Sequence, residues 1–133
     1  MATRTAAERR ADERVAYDAY LKDCPTSQLL DRISDKWVSL ILSALREQGT
    51  MRYSDLGRKI PGVSQKMLTQ TLRSLERDGL VARTVTPAVP VRVDYRLTEL
   101  GASLSGLIVA VKEWAETHID QVRAAREQYD AEE

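Results

Sequence analysis

Residues 54–79, SDLGRKIPGVSQKMLTQTLRSLERDG, decide the reading of this 133-residue chain. Ser54 is placed to cap a short helix that runs to about Lys59, with Leu56 and Ile60 turned inward. Pro61 and Gly62 make a turn. Ser64 then caps a second helix in which Leu68, Leu72 and Leu75 fall on one stripe. At about 100° per residue, Lys66, Thr69, Gln70, Arg73 and Arg77 occupy the opposite side. Asp78-Gly79 ends the helix, with Gly79 supplying a left-handed residue.

Downstream, residues 80–86 and 91–97 are β-rich and broadly alternating, separated by Pro87-Ala88-Val89-Pro90. Two prolines in the connection place it outside the ladder, at the tip of a hairpin. In the second strand Val93, Tyr95 and Leu97 share one face, and Arg92, Asp94 and Arg96 share the other. Thr98 caps a last helix reaching at least Ile119, with apolar positions at Leu100, Leu104, Leu107, Ile108, Val111 and Trp114. Two helices joined by a tight turn and followed by a ribbon predict a mainly α fold with a small β-hairpin wing, a winged helix-turn-helix.

Upstream, residues 1–10 read as a frayed end. A helix then carries Val15, Ala19 and Tyr20 to one side and ends near Cys24-Pro25. Thr26 or Ser27 caps the next, whose apolar positions are Leu29, Leu30 and Ile33. Ser34-Asp35 reads as a break and a fresh cap. The helix after it places Trp37, Leu40, Ile41, Ala44 and Leu45 on a wide stripe, and Gly49 stops it. The organisation predicted is an N-terminal arm (1–23), a winged domain (24–97) and a C-terminal helix with an acidic tail (98–133).

Composition narrows the class. With 43% apolar and 30% charged residues, the chain suits one soluble domain. No apolar run approaches the roughly 20 residues that span a bilayer. The first residues lack the apolar block of a signal peptide, so a cytoplasmic protein without membrane contact is expected. A single cysteine, Cys24, excludes an internal disulfide framework and a Cys-based metal cluster. The lone His118 makes a poor metal site, and neither metal nor cofactor is expected. No nucleophile–base set, phosphate-binding glycine loop or carboxylate pair emerges, so an enzyme is not expected.

Net charge is zero, but its distribution is uneven. Residues 1–51 balance eight basic against eight acidic side chains. Residues 52–96 hold nine basic and four acidic, a net +5, and residues 97–133 hold three and eight, a net −5. Phosphate recognition depends on local charge, so a basic middle segment is a footprint for nucleic acid.

Ser64, Gln65, Lys66, Thr69, Gln70 and Arg73 supply hydroxyls, amides and cations to the exposed side of the second helix, the groups that read base edges in a major groove. The same pattern describes an ordinary amphipathic surface helix; the flanking turn and basic hairpin favour DNA. Arg92, just past the hairpin tip, suits a minor groove or a flanking phosphate, or a surface pairing with Asp94 or Glu99. For Arg96 neither reading is preferred.

CPTSQLLDRISDKWVSLIL, IPGVSQKMLTQTLRSLERDGLV and VPVRVDYRLTELG closely resemble the HxlR family of bacterial transcriptional regulators, relatives of the MarR-type winged-helix proteins. The likeness covers about residues 24–115. It implies a homodimer on double-stranded DNA, with dimer contacts from the N-terminal segment and the long C-terminal helix. It also implies that the Ser64 helix reads the major groove and that the hairpin around Arg92 is the wing. Ser34-Asp35 departs from the Gly-Gly that often stands before Lys-Trp in the family. Cys-Pro is common at the position of Cys24, and some members use that thiol to sense oxidants or electrophiles; a buried packing role is the alternative. The function expected is a sequence-specific regulator, a repressor or auto-regulator, acting on an inverted-repeat operator and released by a small molecule or a redox or electrophile signal. A winged-helix module that binds protein instead of DNA is the alternative.

Overall fold

The computed structural model describes residues 3–132, and the described chain packs as two compact units that divide after Asp35. The first holds α1 (Ala6–Asp23) and α2 (Pro25–Ile33). Helix α1 begins inside the stretch expected to fray. Thr5 and Glu8 explain this: the Glu8 N–H donates to Thr5 Oγ1 at 3.1 Å, and the Thr5 N–H donates to Glu8 Oε2 at 2.9 Å. This reciprocal box satisfies two donors that a helix start otherwise leaves open. Helix α2 also starts earlier than expected, with Cys24 rather than Thr26 or Ser27 at the N-cap. Pro25 favours this start, because its fixed φ and missing N–H suit a first helical position. None of the described residues of α1 and α2 is buried.

The second unit holds α3 (Lys36–Gln48), β1 (Thr50–Arg52), α4 (Tyr53–Lys59), α5 (Gln65–Arg77), β2 (Val81–Thr86), β3 (Arg92–Leu97) and α6 (Glu99–Glu132). Helix α3 buries Val38, Ile41, Leu42, Ala44 and Leu45. The stripe is thus rotated from the expected one, since Trp37 and Leu40 are only half-buried. Gly49 ends the helix at φ +84°, a conformation open to glycine at little cost. The three-residue β1 is too short to show a period and was not anticipated; pairing with β3 creates it. The sheet is antiparallel in the order β1-β3-β2. Helix α4 follows β1 directly, with extended Arg52 at its N-cap, so Ser54 lies inside the first turn and is not the cap.

The apolar stripe of α5 is the centre of the core. Leu68, Leu72 and Leu75 are at most 1% exposed, and they join Ile41, Leu42, Leu45, Leu56 and Val81. Burying each such side chain contributes about 1.5–3 kcal/mol. On the sheet, Met51, Tyr95 and Val81 face this core, whereas Arg52, Arg92 and Arg96 stand on the outer face. The tip between β2 and β3 contains a cis Val89–Pro90 bond and lies outside the ladder. No helix among the described residues is long and apolar enough to cross a membrane.

Helix α6 has 34 residues, about 51 Å at 1.5 Å per residue. Its buried residues, Gly101, Leu104, Ser105 and Ile108, lie in the first turns. Thr98 Oγ1 donates to the Gly79 carbonyl at 2.6 Å and accepts from the Gly101 N–H at 3.0 Å, and the Thr98 N–H donates to the Leu80 carbonyl at 3.1 Å. Gly101 lies so close to Leu80 that a Cβ there would sit 1.9 Å from the Leu80 carbonyl oxygen. By contrast, the nearest atom to a Cβ on Gly106 is Arg46 Nη1 at 3.9 Å.

These two glycines give opposite expectations for one substitution. In an open helix position Gly→Ala gains up to about 1 kcal/mol, and Gly106→Ala is expected to raise the unfolding midpoint or leave it unchanged. At Gly101 the methyl collides with backbone, so Gly101→Ala is expected to lose about 1–3 kcal/mol. Denaturant melts of the two variants side by side check both signs.

Candidate nucleic-acid interface

Helix α5 starts where the sequence places it. Ser64 is the N-cap, and its hydroxyl oxygen accepts the Met67 N–H at 3.1 Å. With Leu68, Leu72 and Leu75 buried, Gln65, Lys66, Gln70, Arg73 and Arg77 are left exposed on the other side. Of the residues expected on this face, Thr69 alone is half-buried. Its hydroxyl lies 2.8 Å from Tyr53 Oη, which also donates to the Gln65 carbonyl at 3.0 Å. The single phenol proton goes to Gln65, so Thr69 donates to Tyr53 and keeps lone pairs to accept with. Tyr53, the first residue of α4, thereby pins the first turns of α5. Sequence reasoning missed it.

The wing carries two arginines held by carboxylates, one on each face of the sheet. On the outer face, Arg92 Nε donates to Asp94 Oδ2 at 2.9 Å and to Oδ1 at 3.2 Å. The Asp94 side chain is 15% exposed and that of Arg92 47%, so the carboxylate is covered while the guanidinium stays open. The pairing foreseen for Arg92 is therefore present, and it uses only the Nε edge. On the inner face, Arg83 stands directly opposite Tyr95 in the ladder, and its Nε donates to Glu76 Oε2 of α5 at 3.1 Å. Exposed ion pairs contribute about 0–1 kcal/mol, so both contacts orient a side chain more than they stabilise the fold. Burial pushes the Tyr95 phenol above its usual pKa, with Arg83 opposing, so it stays neutral at physiological pH. Arg83 was absent from the expected site, although its place between Val81 and Val85 at a period of two marks the core-side face.

Cys24 belongs to the first unit. It is partly exposed, beside a cleft of about 480 Å³ lined by Ala16, Ala19, Tyr20, Asp23 and Pro25. The backbone N–H groups of Ser27 and Thr26 at the start of α2 hold its thiol below the usual cysteine value, with further help from the Thr26 and Tyr20 side chains. None of these contacts closes a side-chain capping hydrogen bond. These donors at the start of α2, which begins at Pro25, favour the thiolate. His118 stacks on Trp114 with ring centroids 4.7 Å apart, and no group of metal-ligating side chains occurs among the described residues.

A capped helix with one buried and one polar face, preceded by a short helix and a turn and followed by a β-hairpin wing that β1 extends to three strands, defines a winged helix-turn-helix protein. The HxlR-like helix-turn-helix family profile matches residues 32–123, and the chain belongs to that family of DNA-binding transcriptional regulators. It is 45% identical over 109 residues to the uncharacterised HTH-type transcriptional regulator YtfH of Escherichia coli K12, covering 82% of this chain and 86% of the relative. Among solved structures it is similar to the transcriptional regulator YtfH from Salmonella typhimurium, with 46% identity, 80% and 94% coverage and a TM-score of 0.71. It is also similar to the redox regulator HypR in its reduced form, with 37% identity, 76% and 99% coverage and a TM-score of 0.71. Transcriptional regulators are not an enzyme class.

Tyr53→Phe removes one hydroxyl and both of its bonds to α5. The variant is expected to lose about 1 kcal/mol of stability and to bind DNA more weakly. Urea denaturation and a DNA titration check the two effects.

Proposed function

We propose that this protein is a sequence-specific regulator that binds an inverted-repeat operator as a symmetric dimer, with α5 of each protomer in the major groove. The observation that carries this reading is the division of α5 into a leucine stripe sealed in the core and a solvent-facing row of Gln65, Lys66, Gln70 and Arg73. Gln pairs with adenine and Arg or Lys with guanine in a major groove. Ser64 spends its acceptor on the helix cap and keeps a donor for phosphate or base. Thr69, braced by Tyr53, presents its remaining lone pairs and its methyl. Arg92, steadied through Nε by Asp94, offers its terminal amino groups to a minor groove or a flanking phosphate.

The dimer reading rests on apolar surface without cover. Leu100, Leu107, Val111 and Trp114 are each more than half exposed along one side of α6, and Val15, Tyr17 and Tyr20 are exposed on α1. The spacing 100, 107, 114 repeats every seven residues, as in a helix–helix seam. A second copy of this chain is the occupant that suits a symmetric operator, with α6 meeting α6 and the N-terminal arm (1–23) adding to the same interface. Residues 24–97 then act as the DNA-binding part and 98–133 as the dimer helix with its acidic tail. Half-sites are expected about 34–36 Å apart, one turn of DNA.

Cys24 is the proposed release switch. A partly exposed thiol with a lowered pKa carries more thiolate than an ordinary cysteine, and the carbon–sulfur bond that the thiolate forms with an electrophile alters the start of α2. The likeness to a redox regulator supports the same reading.

Replacing Gln70 or Arg73 by Ala is expected to weaken operator binding by about 1–3 kcal/mol and to relax preference at the base read; selection of bound DNA with wild type and variant measures both. Treatment with a quinone is expected to release wild type but not Cys24→Ser from its operator. Because the thiol pKa is lowered, the modification rate rises with pH and levels off at a lower pH than for an ordinary cysteine. A wild-type response in Cys24→Ser would exclude the switch.

A further inference from the structure

Between α5 and the inner face of the sheet lies an open cleft of about 440 Å³, lined by Thr69, Arg73, Glu76, Arg77, Arg83 and Tyr95. Its chemistry is unusual for a surface hollow. Three guanidinium groups converge on it against one carboxylate, a net charge of +2. Arg73 and Arg77 are four residues apart on the exposed side of α5 and so stand one above the other. Arg83 approaches from the opposite wall. Its Nε edge is taken by Glu76 Oε2 at 3.1 Å, which leaves the two terminal amino groups for a third party. The floor is the neutral phenol of Tyr95, itself 8% exposed.

Four of the six lining residues are charged, so the cleft selects by charge. A cation is repelled. A tetrahedral anion meets forked donors from two walls, the arrangement in which arginine binds phosphate most firmly. We propose that this cleft seats a backbone phosphodiester of the bound DNA strand, gripped by Arg77 and Arg83. Glu76 is the positioning residue that turns the open edge of Arg83 toward it. The proposal rests on the DNA-binding reading above and adds contacts to it: α5 reads bases along its exposed row, while its last turn and β2 hold the strand beside the wing. Such a contact sets register and carries no sequence information. The carboxylate of Glu76 costs affinity by repelling the phosphate, and it gains geometry by fixing Arg83.

The test compares wild type with Arg77→Gln, Arg83→Gln, the double variant and Glu76→Gln on an operator and on a scrambled duplex, each over a series of salt concentrations. Thermal melts verify folding. Each arginine variant is expected to bind both duplexes several-fold more weakly by the same factor. In the double variant the slope of log K against log salt is expected to be shallower by about 0.9, the loss of one phosphate contact. The ratio of operator to scrambled affinity stays constant. Glu76→Gln keeps an amide oxygen for Arg83 and removes the repelling charge, so its affinity is expected to rise on both duplexes, most at low salt. An unchanged salt slope in the folded double variant overturns the proposal, as does a change confined to the operator or weaker binding by Glu76→Gln. Failure of wild type to bind either duplex would instead overturn the DNA-binding reading, and this contact with it.

Discussion

The second unit depends on the absence of a side chain at residue 101. There α6 runs so near the Leu80 carbonyl that a β-carbon would overlap it, and Thr98 closes the same junction by bonding Gly79, Leu80 and Gly101. Three elements meet at this point: the end of α5, the start of β2 and the first turn of α6. The short loop after α5 is thereby locked, and with it the angle at which β2 leaves the helix. A winged helix works only if helix and ribbon keep a fixed relation, because the two engage one duplex together. The junction supplies that relation at a spot far from the exposed row of α5.

From this anchor, rigidity passes to α5 by two further routes. Its leucine stripe is sealed against α3 and α4, where a shift of one methylene is felt. Tyr53 holds its first turns through a carbonyl and a hydroxyl. The backbone of the helix is therefore already ordered when its outer surface meets a ligand, and only the exposed side chains lose freedom. The arginines of the wing follow the same logic on a smaller scale. Arg83 and Arg92 are each restrained through Nε by a carboxylate, with the forked end left open. Carboxylates in a basic surface look like a defect in the charge count, yet each of these two holds one cation in position. The overall neutrality of the chain arises elsewhere, from the net −5 beyond residue 96.

Much of this was legible in the residues, and the failures have physical reasons. The order of helices and strands, the Ser64 cap and the division of α5 into two faces all follow from local periodicity and backbone preference. The errors cluster where a partner distant in sequence decides. Three residues become β1 because β3 lies alongside. Ser54 lost its expected role because extended Arg52 carries the chain straight from strand into helix. In α6, Leu104 and Ile108 are covered while Leu100, Leu107, Val111 and Trp114 are not, and only packing separates them. Two differences are local: Thr5 and Glu8 have the spacing of a capping box, and Pro25 suits a first helical position that moves the start of α2 ahead of Thr26.

By itself, then, the sequence determined the class of fold and the polar face of α5, because helical and strand periods need nothing beyond neighbouring residues. Tertiary structure decided which atoms of those residues remain available. It turned Thr69 toward Tyr53, paired Arg92 with Asp94, and set Arg83 across a cleft from Arg77 with Glu76 between them. Tyr53 and Thr69 are 16 residues apart, and Arg83 and Glu76 meet only because the chain turns back at Gly79. The geometry of such meetings comes from the packing of whole elements, which no local pattern encodes.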